Sequence, residues 1–517
     1  MSQEVNVKPD ELLGFCHDLH TRGYTHLSLI SAVDWPEEFE IVYHMYSYSE
    51  HKIVTVKTRV GKDNPAVPSL TSIYRSANWH ERETYDLLGI KFTGHPNLAR
   101  ILLPETFKGH PLRKNYIILQ RYLQHVWQMS MEQEANQYKE LELANDIPHT
   151  ENIDFNKVVH INMGPQHPST HGVLRLRLLV EGEKIVRLYP VMGYLHRGIE
   201  KLAEELNYMQ FIPYTDRLDY VAGMINNYGY VSAIEKLANI EVPERAEYLR
   251  VVSMELSRIA SHLVWAAAWC MDIGAITPFF YMMRDRERIL QIFEDLCGAR
   301  MTFNYIRVGG VSHDMTKKIE TDVEKFLEVM PGAMLEYEQL IDGNEILISR
   351  SEGVGSLSLE DAINLGVTGP ILRAAGLEYD IRKAHPYSVY DKMKFDVPTK
   401  KEGDVYARYL IRMQEIKESL KIVKQAVGGI PEGVIKAKVA RIITPPAGDI
   451  YSRVESPKGE LGFYVVSTGK RKPYRVRIRS PCFCNLASLE KMAEGGKLAD
   501  LVSINGSLDM IMGEVDR

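Results

Sequence analysis

The chain has 517 residues, enough for two to four domains and a large buried core. Apolar residues make up 45% and charged residues 25%, ordinary for a globular chain, and a net charge of −6 argues against a nucleic-acid binder. Five cysteines, with no CxxC pair among them, argue against a disulfide framework or a cysteine-ligated cluster held by this chain alone.

Nothing at Met1–Lys8 has the apolar core of a signal peptide. Pro9–Arg22 reads as an opening helix. Tyr24–Asp34, Phe39–Tyr48 and Lys52–Val60 read as strands, rich in β-branched and aromatic residues. A helix is expected over Leu70–Leu88. Its charged residues Glu81, Arg82, Glu83 and Asp86 read as a solvated or interface face. Two Gly-His-Pro triplets, Gly94–Pro96 and Gly109–Pro111, mark turns in the next loop, and neither histidine has ligand spacing to a second one. Residues 119–150 are polar and rich in Gln and Glu, and read as a linker with partial helix.

Past the linker, Lys157–Met163 and Val173–Val180 alternate as strands around Gly164-Pro-Gln-His-Pro-Ser-Thr-His-Gly172. Glycine and proline make this a stiff hairpin tip, with His167 and His171 on it. A third strand, Lys184–Pro190, follows. The pattern then turns helical, over Arg197–Gln210 and over Thr215–Leu237 with Thr215 or Asp216 as N-cap. A third helix starts near Pro243, its apolar positions Leu249, Val252, Leu256, Ile259 and Leu263 at helical spacing. Leu263–Met283 is apolar and long enough to span a bilayer, but Asp272 and Gly274 lie near its centre. It therefore reads as a helix buried in a protein core, which leaves Asp272 as a buried carboxyl in need of a partner. Arg286–Cys297, Thr321–Met330 and Val405–Val427 are further helices. Gly459–Ser467 and Lys472–Arg479 return to strand, with Arg475, Arg477 and Arg479 on one face. That face reads as solvated, or as an interface for an acidic partner or lipid head groups.

The fold class expected is α+β. A small N-terminal α+β domain covers 1–118 and a linker 119–150. A mainly helical bundle domain covers 151–517, with β-hairpins at its start and near its C-terminus. The sequence has no phosphate-binding glycine loop, no GxSxG and no HExxH. Cys482-Phe-Cys484 is a CxC that would need outside ligands to hold a metal. His171 on a rigid tip, Tyr220 near a helix start and Asp272 in an apolar helix are groups able to deliver or tune protons. Spacing alone does not bring them together.

Glu81-Arg-Glu-Thr-Tyr-Asp-Leu-Leu-Gly-Ile-Lys-Phe-Thr-Gly-His-Pro96 and Gly109-His-Pro-Leu-Arg-Lys114 resemble the C subunit of NADH:quinone oxidoreductase, respiratory complex I. Gly164–Arg175, Gly193–Lys201, Asp216-Arg-Leu-Asp-Tyr220, Thr277–Phe280, Gly366–Ala374 and Gly513–Arg517 resemble its D subunit. In order, these motifs resemble the fused C/D subunit of some bacteria. The D part is also similar to the nickel–iron hydrogenase large subunit, but the two CxxC pairs of that family are absent.

The resemblance implies that His171 and Tyr220 contact a quinone head group and that Asp272 pairs with His171. It implies no metal site and no cofactor of this chain's own. Electrons would come from an iron–sulfur cluster in the adjacent B subunit, with NADH bound on another subunit. Loss of a proton from a charged imidazole would weaken its tie to Asp272, a trigger for proton pumping by membrane subunits. The chain would lie peripherally on the cytoplasmic side of the inner membrane. Alternatives are a related complex fed by ferredoxin or another donor, a hydrogenase-like subunit, or a scaffold without substrate contact.

Overall fold

The computed structural model describes residues 3–116, 153–154 and 156–517. The linker expected at 119–150 lies outside the described residues. The chain forms two compact units, Met1–Tyr194 with Leu489–Leu501, and Leu195–Ser488 with Val502–Arg517.

The first unit is built on a four-stranded sheet. β1 (Gln3–Asn6) pairs in parallel with β4 (Lys52–Gly61), and β2 (His26–Asp34), β3 (Glu38–Ser47) and β4 run antiparallel, in the order β1-β4-β3-β2. β1 was not expected, because Gln-Glu-Val-Asn is too polar to read as a strand before it pairs. α1 (Leu12–Thr21) buries Leu12, Cys16 and Leu19.

α2 (Ala77–Leu88) begins later than Leu70. The Glu81 carboxylate takes the N–H of Leu70 at 2.7 Å and the Ser69 hydroxyl at 2.7 Å, which holds those residues in a turn. The charged face of this helix is not solvated: Glu81, Arg82, Glu83 and Asp86 are all at most 4% exposed. Asp86 accepts the backbone N–H groups of Ile101, Leu102 and Leu103 and the Arg100 guanidinium. Arg82 donates to the carbonyls of Ala99 and Arg100 and to the Tyr189 hydroxyl. These charges fix the 94–116 loop, whose backbone would otherwise lack partners. The two triplet histidines serve the same loop, His95 through Asn78 and Asn97, His110 through the Asp86 carbonyl.

A second sheet in this unit is the expected hairpin pair: β7 (Val159–Met163), β8 (Arg175–Glu181) and β9 (Lys184–Val191), antiparallel in sequence order. Two short strands, β5 (Ala66–Pro68) and β6 (Lys91–Thr93), pair beside the 94–116 loop.

The second unit is mainly helical, as expected, with different breaks. The helix read over Arg197–Gln210 is two: α3 (Ile199–Glu205) and α4 (Tyr208–Thr215). Leu206 is extended, and Asn207 caps α4 in a reciprocal box with Gln210. Thr215 therefore closes a helix rather than starting one, and Asp216 is its C-cap. α5 (Gly223–Ala238) starts after a turn.

α6 (Glu244–Asp272) begins after Pro243, and nearly all of its middle is buried. The apolar run 263–283 is not one helix. The chain breaks at Gly274, whose φ of +91° suits glycine, and α7 (Ile276–Cys297) follows. Asp272 is thus the last residue of α6 and half-buried at a corner, not deep in an apolar helix. No described helix is long and apolar enough to cross a membrane.

α8 (Lys317–Ile341) packs on α7, and α9 (Val405–Gly428) packs on α6. The closing sheet has three antiparallel strands, β10 (Gly448–Ser456), β11 (Gly459–Ser467) and β12 (Arg475–Arg479). Its arginine face is neither solvated nor free for a partner. Arg475 and Arg477 reach Glu200 of α3 at 2.7 and 3.1 Å, and Arg479 donates to the Glu460 carbonyl. Burial of all three cations demands such pairing. Two short helices end the unit's contribution to the site, α10 (Pro481–Leu486) and α11 (Met512–Asp516).

Candidate functional site

His171 stands where the sequence placed it, at the tip between β7 and β8 in the first unit. Local bonds fix this tip. The Thr170 hydroxyl shares its hydrogen between the carbonyls of His167 (2.8 Å) and Gly172 (3.0 Å). Gly164 is required because a Cβ there would meet the Leu174 carbonyl oxygen at 2.1 Å. His171 itself holds a left-handed φ of 52°, rare for a non-glycine residue. It is half-buried, whereas His167 is exposed.

Tyr220 and Asp272 belong to the second unit, on separate elements. Tyr220 sits in the turn between α4 and α5, not within a helix. Several bonds hold that turn: Asp219 accepts the Val221 N–H at 3.2 Å, and the Asp219 carbonyl accepts from Ala222 and from the Asn226 side chain. The result is a sharp contrast within two residues. Leu218 and Asp219 are fully buried, and Tyr220 is 44% exposed. The phenol is held above its ordinary pKa, first by partial burial and then by the Asp219 charge, with Lys458 opposing. It stays a proton donor at neutral pH.

Behind Tyr220 lies a buried cluster that spacing alone did not suggest. Lys458, in the two-residue turn between β10 and β11, has no exposed side-chain surface. Its ammonium lies 3.0 Å from Asp219, 3.4 Å from Asp509 and 3.0 Å from the Ser261 hydroxyl. Arg412 of α9 approaches Asp509 at 3.9 Å and stacks on Trp265, 4.0 Å from the ring centre. Glu514 of α11 accepts the Cys482 N–H at 3.2 Å. Burial pushes the Asp509 carboxyl up to about 6 and that of Glu514 up to about 7, and it raises the Cys482 thiol well above its ordinary value. Beyond Arg412 the charged groups form one bonded network. Glu415 bridges Arg373 (2.7 Å) and His262 (2.9 Å), and Arg373 also reaches Glu455 (2.8 Å).

Sequence reasoning missed this cluster because a Pro-Lys pair at a hairpin turn reads as solvent-facing. One signal was available: Gly459 follows the lysine, and its Cβ would meet the Thr368 hydroxyl and the Gly369 N–H, so the turn is packed into the protein. Cys482 and Cys484 are both buried. Among the described residues, no group of three or more His, Cys, Asp or Glu side chains is placed to hold a metal ion.

Residues 5–122 match the family model for the 30 kDa subunit of respiratory-chain NADH dehydrogenase, and residues 272–517 match that for its 49 kDa subunit. The C/D subunit of the Nitrosospira multiformis NADH-quinone oxidoreductase is 40% identical over 505 residues, which covers 93% of this chain and 83% of that protein. The chain belongs to the family of fused C/D subunits of NADH-quinone oxidoreductase. The C/D subunit of Acidiphilium cryptum is similarly 40% identical over 510 residues, 93% of this chain and 85% of that one. The D subunit of the Dehalococcoides mccartyi strain 195 enzyme is 54% identical over 358 residues, 69% of this chain and 98% of that protein. As a member of this family, the chain is a fused component of the multisubunit NADH:quinone oxidoreductase, respiratory complex I. The 49 kDa match includes Asp272, Lys458, Asp509 and Glu514.

Proposed function

We propose that this C/D subunit forms part of the quinone-reduction site of its complex and supplies protons to the reduced quinone. Reduction by two electrons leaves negative charge on the quinone oxygens. Nearby donors stabilise that charge and complete the quinol. Tyr220 is the donor the geometry supports best. The carrying observation is a phenol 44% exposed, set in a fixed turn directly after a fully buried aspartate. His171 on its rigid tip is the second head-group contact, and Asp272 is the carboxylate that orients and tunes it.

This chain binds no cofactor of its own. Electrons reach the quinone from an iron–sulfur cluster of the adjacent B subunit, and NADH is oxidised on another subunit. The protein works in the peripheral arm, on the cytoplasmic side of the inner membrane and against the membrane subunits. Residues 1–118 act as the C part, 119–150 as the linker and 151–517 as the D part.

The test uses the assembled complex. Tyr220→Phe and His171→Ala should each cut quinone turnover about 100-fold or more, while NADH still reduces the clusters. Normal turnover in both variants would falsify the site.

A further inference from the structure

We propose that Glu514 and Asp509, buried with the Asp219–Lys458 ion pair, form a proton store that re-protonates Tyr220 after each donation to quinone. The inference rests on the reading of Tyr220 as the donor. These residues touch no quinone. They act through Tyr220 and are positioning residues.

The charge balance of the cluster is the first ground. Asp219 and Asp509 share the Lys458 ammonium, and Asp509 also meets Arg412, whereas Glu514 has no cation at ion-pair distance among the described residues. On its other side Arg412 donates to the carbonyl of Arg408, a buried guanidinium bonded to the Ser507 hydroxyl and the Gly403 carbonyl, while Glu415, Arg373, His262 and Glu455 are engaged with one another. Asp219 and Glu514 have no exposed surface, and Asp509 is 6% exposed. A fully buried carboxylate with no cation beside it is costly, so Glu514 keeps a proton that it can give up. The hydrogen bonds to its carboxyl come from Cys482, the N–H at 3.2 Å and the thiol, and neither brings a positive charge. The raised position of Glu514, near 7, agrees with this, with burial the first cause and the Asp219 charge the next.

The second ground is connection. Asp219 precedes Tyr220 in one fixed turn, and its carboxylate holds Lys458 at 3.0 Å. The helix carrying Glu514 is pressed on the same turn: a Cβ at Gly513 would lie 2.9 Å from the Leu218 carbonyl oxygen. Cys482 joins the two sides. Its N–H binds Glu514, and its sulfur accepts the Ile511 N–H at 3.5 Å.

The step balances without a co-reactant. The Tyr220 O–H bond breaks and an O–H bond forms on the reduced quinone oxygen. The phenolate then takes the proton of the store, a carboxyl becomes a carboxylate, and water later replaces the proton. The electrons are those of the NADH-quinone reaction itself.

The experiment measures the pH profile of quinone turnover in the assembled complex for wild type, Glu514→Gln, Glu514→Asp, Asp509→Asn and Tyr220→Phe. Cluster reduction by NADH reports assembly. In wild type the store is filled below about pH 7, so kcat falls as pH rises through that range. Glu514→Gln should lower kcat roughly tenfold with KM for quinone unchanged, less than the loss of the donor itself because water partly replaces the store. Its profile should be flat through neutral pH. Glu514→Asp should restore the slope, and Asp509→Asn should shift it. Wild-type rate and profile in both Glu514→Gln and Asp509→Asn, beside an impaired Tyr220→Phe, overturn the store and leave the donor standing. Full turnover in Tyr220→Phe overturns both.

Discussion

At the scale of single residues, burial decides what a charged side chain does, and Glu81 gives the plainest case. Its carboxyl is fully buried and pushed up to about 8, by burial first, while bonds from Ser69 and Leu70 oppose. In the unfolded chain a glutamate releases its proton near 4.5. Between those values the native state holds a proton that the unfolded state has lost. Stability therefore falls as pH rises from about 4.5 to about 8 and then levels. Glu81→Gln mimics the protonated acid: its oxygen accepts the Leu70 N–H, and its NH2 donates to the Ser69 hydroxyl oxygen. Thermal melting of the full chain from pH 5 to 8 should show a clear loss of stability in wild type and a smaller one in the variant. Parallel curves would mean that Glu81 is not the titrating group. Lys458 teaches the same lesson with the opposite sign. Its position in a Pro-Lys turn reads as solvent-facing, yet two aspartates and a serine hold it inside.

At the scale of elements, strands and long helices were legible because alternation and helical spacing are local properties. The three main N-terminal strands, the hairpin and α9 were all readable on that basis. The breaks were less so. Asn207 opens a new helix as its N-cap and Gly274 turns the chain after another with a left-handed backbone, while the apolar pattern runs on past them. The charged strand face of Arg475, Arg477 and Arg479 misled for another reason: its partner Glu200 lies 275 residues away in sequence from the first of them. The β10–β11 hairpin shows what such distant contacts enforce. Gly459 has a φ of +126°, and a Cβ there would lie 2.3 Å from the Thr368 hydroxyl and 2.8 Å from the Gly369 nitrogen. Gly459→Ala must therefore move the turn that carries Lys458. Strain and overpacking together should cost about 1–3 kcal/mol, read as a lower melting temperature. Quinone turnover should fall more than cluster reduction. Unchanged stability would mean that the turn has room it does not show.

At the scale of the whole molecule, the proposed contacts fall in two compact units, His171 in one and Tyr220 with Asp272 in the other. Each residue's local setting was partly readable: the stiff tip from its glycines and prolines, the exposed phenol only once the turn was seen. Whether they act as one device is an energetic question, and a double-mutant cycle answers it. If Asp272 orients and tunes His171, removing either group removes the same effect. His171→Ala, Asp272→Asn and the double variant should then lower quinone turnover by similar factors, with a coupling of about 0.5–3 kcal/mol between the two changes. Tyr220→Phe combined with Asp272→Asn should be closer to additive, because the phenol draws on the Lys458 cluster rather than on Asp272. Additive losses for His171 and Asp272 would separate the two, and the hairpin tip would then bind quinone without help from the corner where α6 ends.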